Sequence, residues 1–487
     1  MKNFFAVVIG LLLLALQLVE AGSNGGGCKN PIVRKEIRSA SDEERKNFFE
    51  ALQVMKNNGV VDKLAKIHND QANYVHNSTI FLAFHRYFVK VFENELQKAK
   101  PGVSALYWDW TLDAQHPENS ILFTPEWFGG NGQGDDHCVK DGIFKEWQFT
   151  TIDKHCLKRI YNKGNAINAL YPYEAILGNI NNSANYDQLT HAIEGGCHGF
   201  VHLGMGGDMT EMYAPNDITF WLHHGMIDMI YYQWQMVDYE TRKNDISGKL
   251  VGGVEEISHD TPLPGYPDVK VGDVLDFKNN LLCYVYEETG TAKAMKIAEE
   301  AARKAAEYKK SQGSGKGNSK RDLLGGVLGA VGDTVGNVVE DVGDVVKDVG
   351  DVVEDVVESV SDLLDAVGDA IKDITKALGL EDVDLNLLDP KDLKLPIPDK
   401  PCGGWVAMTG ISPALIDEQH KQMVQTIKKY NSMKYYISPS AIHYAHRLAA
   451  IRNATTTSTP VVVPPRRKCI PRTPSPAPAY SALPVAA

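Results

Sequence analysis

The chain has 487 residues, 43% apolar and 23% charged, which fits a soluble globular protein with room for two or three average domains. Its formal charge is −12, with 50 Lys and Arg against 62 Asp and Glu. A broad nucleic-acid-binding surface is therefore not expected, because phosphate neutralisation needs clustered positive charge.

Residues 1–21 read as a secretory signal peptide. Lys2 supplies the positive start, Phe4 to Val19 is an apolar run short for a membrane span, and Val19-Glu20-Ala21 is a small-x-small cleavage site. No other stretch is apolar for long enough to cross a bilayer, so the mature chain is expected to be secreted, with no membrane partner. In that oxidising compartment several of Cys28, Cys138, Cys156, Cys197, Cys283, Cys402 and Cys469 should pair, and an odd number leaves at least one over. Spacing does not reveal the connectivity. Asn77, Asn181 and Asn453 open glycosylation sequences, although Asn77 falls where the site is expected and should be poorly accessible.

Residues 22–290 hold 12 of the 15 histidines and most of the aromatics, so the chemistry should lie there. From Ser78 to Lys98 the pattern is strongly helical, with Phe81, Phe84, Phe88, Val91 and Phe92 on one face and Ser78 or Thr79 as cap. His85 lies at the edge of that face; His76 stands just before the helix, and His68 eight residues earlier in a less regular stretch. On one continuous helix His76 and His85 would point to opposite sides, so they converge only if His76 sits on a loop that folds over. Further on, His198 and His202 are four apart and face the same way on a helix. The stretch Asn216-Asp-Ile-Thr-Phe-Trp-Leu-His-His-Gly-Met-Ile-Asp228 then puts His223 and His224 into an apolar helix, where buried imidazoles need partners. Two sets of three histidines suit copper better than magnesium or calcium; ligand type alone leaves zinc open.

The remaining segments differ in composition. Residues 291–321 combine an Ala/Lys/Glu-rich helix with a Gly/Ser/Lys linker ending in the dibasic pair Lys320-Arg321, a candidate site for a processing protease. Residues 322–389 are Val-rich and acidic, with 17 acids and 3 lysines between 322 and 384. Valines recur there at heptad spacing, but the poor helix formers Gly343 and Gly350 favour a loosely structured spacer. In residues 390–452, Ser412-Pro413 opens a helix to about Tyr430, and residues 453–487 form a Pro/Thr-rich tail expected to be disordered.

His76 to Glu93, read as His-x8-His-Arg-x-Phe-x3-Phe-Glu, resembles the first copper motif of tyrosinases and catechol oxidases. His198-x3-His202 and the later Phe-Trp-Leu-His-His-x3-Asp resemble their second copper motif, and Tyr107-Trp-Asp-Trp110 and the Tyr284/Tyr286 pair also match. The resemblance spans roughly residues 28–286, and Leu395-Pro to Ser440 is similar to the C-terminal piece of short fungal-type members.

It implies a mainly α-helical fold, a four-helix bundle holding a dinuclear (type-3) copper centre. One copper ion would be bound by His68, His76 and His85 and the other by His198, His202 and His224, with His223 behind them. Glu194 matches the family's water-holding glutamate, Phe220 its gate aromatic, and Gly199 the position after the first histidine of the second motif. Arg34 should pack on Tyr284 and Tyr286, and Asp228 should anchor a helix through an ion pair. Two departures stand out. Tyr74 replaces a cysteine that many relatives link to the second histidine, and Ile218 replaces a proline after Asp217.

The implied reaction is oxidation of o-diphenols to o-quinones by dioxygen. Gly199 has no side chain to help polarise a water, so hydroxylation of monophenols is expected to be weak or absent. The alternatives are a true tyrosinase with monooxygenase activity and a hemocyanin-like dioxygen carrier. Related enzymes are often latent, with a C-terminal segment over the pocket, so removal of the chain after Arg321 would activate a latent form; the alternative is a permanent spacer followed by a helix packed on the core.

Overall fold

A computed structural model describes residues 28–288, 291–294, 297, 372–376, 378, 394–400, 411–433 and 436–455. The signal sequence, the dibasic pair, nearly all of the acidic segment and the tail beyond 455 lie outside the described residues. Helices dominate, as expected. Seven matter for the site: α1 (Asp42–Asn57), α2 (Val60–Val75), α3 (Ile80–Ala99), α4 (Tyr173–Asn182), α5 (Tyr186–Ala192), α6 (Gly199–Met205) and α7 (Thr219–Val237). Two more, α8 (Pro413–Asn431) and α9 (Pro439–Thr455), come from the C-terminal region.

The sequence accounts for several helix boundaries. Ser41 and Glu44 form a capping box at the start of α1, and Ser412 with Pro413 opens α8 as its spacing predicts. α3 starts at Ile80 with Thr79, one of the two expected cap residues, at its N-cap, and Ser78 Oγ accepts from the Ile80 N–H at 3.3 Å. At the start of α7, where Ile218 stands at the N-cap, the Asp217 carboxylate accepts from the Thr219 N–H at 3.0 Å and from its hydroxyl at 2.7 Å.

α3 and α7 form the centre of the core. The Phe92 and Trp221 rings stack with centroids 4.4 Å apart, and Phe84, Phe88, Leu222 and Ile230 are fully buried. Gly225 on α7 lets the Tyr107-to-Trp110 segment come close: a Cβ there would stand 2.8 Å from Tyr107 Cβ. The Leu222 carbonyl beside it accepts from the Trp108 N–H at 3.0 Å.

A buried charge network locks these elements together. Arg34 lies on β1 (Ile32–Arg34), which pairs in parallel with β4 (Tyr284–Tyr286); the hairpin of β2 (Pro262–Leu263) and β3 (Tyr266–Lys270) lies between them in sequence. The Arg34 guanidinium reaches Glu93 of α3 and Asp228 of α7, each at 3.0 Å, and sits 3.6 Å from the Tyr284 ring centroid. Arg86 of α3 binds the other Asp228 oxygen at 2.6 Å. Burial opposes ionisation of Asp228, but Arg86 and Arg34 outweigh it and hold the carboxyl below its usual range. The roles expected of Arg34 and Asp228 are thus present in the fold. Beside the β1–β4 pair, a disulfide joins Cys28 to Cys283 across 255 residues; a second joins Cys138 to Cys156. Cys197 is free and buried, and Cys402 and Cys469 lie outside the described residues.

Candidate metal centre

Seven histidines, all buried except the slightly exposed His76, meet in the core in two groups. His68, His76 and His85 form one, and His198, His202, His223 and His224 the other; within each group the candidate ligand atoms lie within 4.8 Å of one another. The groups abut, with the His85 and His224 rings stacked at 4.3 Å between centroids. Phe81 and Phe220 fill the space between them: Phe81 lies 4.5 Å from His85 and 4.8 Å from His198, Phe220 4.1 Å from His224 and 5.1 Å from His68. Phe220 is fully buried and lies against rings of both groups.

The first group is assembled by a break in the chain. His68 lies in the regular helix α2, contrary to the irregular stretch expected for it. α2 ends at Val75, leaving His76 extended, and Asn77 at φ 51° turns the chain into α3. That turn makes His76 fold over His85. Asn77 itself is exposed, which corrects the expected inaccessibility.

The second group depends on a π-turn at Ile193–His198, between α5 and α6, which the sequence pattern did not reveal. It carries Glu194 and His198, with Gly199 buried at the start of α6 and His202 one turn further on.

Ring orientation is set from outside. His68 Nδ1–H donates to the Met212 carbonyl at 2.6 Å, His85 to Phe81 at 2.8 Å, His198 to Glu194 at 3.1 Å and His202 to Met209 at 2.6 Å. A carbonyl can only accept, so each of these rings carries its proton on Nδ1 and presents the Nε2 lone pair inward. His68 Nε2 lies 3.2 Å from His76 Nε2 and 3.3 Å from His85 Nε2. Lone pairs facing one another at that distance repel unless a cation lies among them. Among the described residues, neither ring nitrogen of His224 has a hydrogen-bond partner. Burial pushes His68 and His202 down to about 3 and His76 to about 4, so the rings are neutral ligands at ordinary pH.

Glu194 borders the first group. Its Oε1 accepts from the Asn77 N–H at 2.8 Å and from His76 Nδ1–H at 3.1 Å. Burial pushes its carboxyl up to about 8, against the pull of the Asn77 N–H, His191 and the Ser78 N–H. A nearby divalent cation would favour the carboxylate again.

Two supports of the site carry no local signal in the sequence. Arg159 holds Asp217 at 2.7 Å, fixing the start of α7, and Asp208 accepts from the Lys158 N–H next to the Met209 carbonyl that orients His202. Both residues are charged and buried, but their partners are far away in sequence, so no short-range pattern marks them.

Residues 58–237 match the family described as the common central domain of tyrosinase. The chain is 31% identical over 313 residues to the tyrosinase ustQ of Aspergillus flavus, covering 57% of this chain and 87% of that one. This chain belongs to the tyrosinase family. It is also 32% identical over 248 residues to a tyrosinase of Streptomyces antibioticus, covering 45% of this chain and 87% of the relative. A polyphenol oxidase from Thermothelomyces thermophila superposes with a TM-score of 0.45 at 22% identity, over 53% of this chain and 89% of that one. Tyrosinase-family enzymes are oxidoreductases that act on phenols with oxygen and use a dinuclear copper centre, and each of the two histidine groups has the spacing to hold a metal ion.

Proposed function

We propose that this protein is a secreted copper oxidase that converts o-diphenols to o-quinones with dioxygen, with weak or no hydroxylation of monophenols. The observation that carries the reading is the pair of abutting imidazole groups, in which His68, His85, His198 and His202 direct their Nδ1 protons outward to carbonyls and their Nε2 lone pairs inward. His68, His76 and His85 would hold one ion, and His198, His202 and His224 the other. Neutral imidazoles without a carboxylate among them suit copper and not magnesium or calcium. Bound copper would supply reversible one-electron chemistry, and two ions together match the two electrons lost by a diphenol.

The protein's own residues do the rest. Phe81 and Phe220 exclude water between the two groups and offer aromatic faces to a phenol ring. With cations held beside it, the Glu194 carboxyl would be ionised, and as the carboxylate bordering the first group it can accept one of the two protons that a catechol releases. Gly199 adds no hydrogen-bonding group beside it, which supports the low monophenol activity. Export is supported by the two disulfides, which persist in oxidising compartments.

Initial rates on a catechol and on its matching monophenol, with the copper-loaded chain, test this reading. Turnover of the catechol at well above the monophenol rate is expected. Comparable rates would make the protein a true tyrosinase, and oxygen binding without turnover would make it a carrier.

A further inference from the structure

The π-turn that carries Glu194 and His198 is packed from outside by α8, more than 200 residues away in sequence. α8 buries Ile416, Met423, Ile427 and Tyr430. Between these apolar residues it places a polar one, Gln419, which is only 9% exposed. Its side-chain amide donates to the His191 carbonyl in the last turn of α5, just where the π-turn begins. A π-turn interrupts the regular i to i−4 ladder and so needs support from neighbouring groups.

Gly195 and Gly196 allow the approach. A Cβ on Gly195 would stand 2.9 Å from Gln419 Oε1 and 3.3 Å from Ile411 Cγ2, so the Gln419 amide would have to shift to make room for it. Gly196 has a backbone conformation outside the helical region (φ −96°, ψ −118°), so this segment is not held by helical hydrogen bonding alone. Glu194 lies three residues and His198 seven residues after His191, and the Glu194 carbonyl itself orients His198. A rotation of the turn would therefore displace a metal-facing imidazole and the buried carboxyl together.

We propose that Gln419 is a positioning residue for the dinuclear site: through the His191 carbonyl it fixes the π-turn that sets Glu194 and His198 in place. The part about metal rests on the copper reading above; the part about the turn does not. Three full-length chains separate the two: wild type, Gln419→Leu, which keeps bulk but loses the donor, and Ile427→Ala, which loosens α8 without touching the amide. Amide hydrogen exchange of peptides covering residues 189–202 is the first measurement, and the rate of copper loss to a chelator is the second.

In Gln419→Leu, exchange should rise in residues 189–202 and stay unchanged in α3 and α7, and copper should leave about tenfold faster. Gly195→Ala, which wedges the same contact, should give the same local exchange pattern even if Gln419→Leu folds poorly. Unchanged exchange in both variants overturns the proposal. So does an identical pattern in Ile427→Ala, because α8 would then act by packing alone. Wild type that takes up no copper would defeat the copper reading, and the exchange data would still decide whether Gln419 holds the turn.

Discussion

Gly199 and Asp228 bear the clearest consequences of single side chains. At Gly199, Asn would place an amide close to Glu194 and help it to polarise a water. Gly199→Asn should raise the monophenol rate relative to the catechol rate by about tenfold; an unchanged ratio in paired initial-rate assays would remove Gly199 as the cause of the preference. At Asp228, Ala would leave Arg86 and Arg34 with fewer counter-charges in a dry core. Asp228→Ala should cost about 3–5 kcal/mol of unfolding free energy in urea titrations, and a loss below about 1 kcal/mol would show that Glu93 and Gln235 compensate. The gathering of histidines is partly legible in the sequence, because i, i+4 spacing and paired imidazoles in an apolar helix suggest a shared metal, whereas the choice of His224 over His223 rests on the family resemblance. Their Nδ1 acceptors are not: Met209 and Met212 contribute only backbone carbonyls, which no residue type announces.

Among the elements, α9 contains a pH-sensitive contact. His443 is 5% exposed, 3.9 Å from Asp113, with Arg38, Arg447 and His446 also facing it. Burial first, then the positive Arg38, pushes it down to about 3, and the pull of Asp113 does not restore it. A histidine depressed in the fold stabilises fully above its unfolded value near 6.5, and that contribution falls as pH drops toward 3. Exchange of α9 amides should therefore accelerate between pH 7 and pH 5 beyond the intrinsic pH effect, and His443→Gln should abolish the excess. An equal response in both proteins would refute this. The elements themselves are partly legible. The aromatic face of α3 and the Ser412-Pro413 start of α8 are local signals, and both helices form as those signals indicate. The break at Asn77 and the π-turn at Ile193–His198 are not, since a single left-handed residue or one extra residue per turn barely alters hydrophobic periodicity.

For the whole molecule, the C-terminal region reads differently once α8 is seen on the π-turn. Composition suggests a removable segment after Arg321, but α8 buries apolar residues against the core, and Tyr436 bonds Glu174 of α4 at 2.6 Å. Truncation after Arg321 should therefore lower copper retention and catechol turnover, whereas deletion of 322–371 alone should leave both near wild type. Faster turnover by the truncated chain would instead support latency. This link between segments far apart in sequence has no local signature, because no residue in α8 signals which surface it will cover.

Everything proposed for the site depends on the two histidine groups holding two copper ions. Copper per chain by elemental analysis decides it, for wild type and for His198→Ala/His202→Ala, after loading with Cu(II) and removal of loose metal. Two ions in wild type and one in the double variant are predicted. Zinc in place of copper, or a copper content that does not change when His198 and His202 are lost, would contradict it.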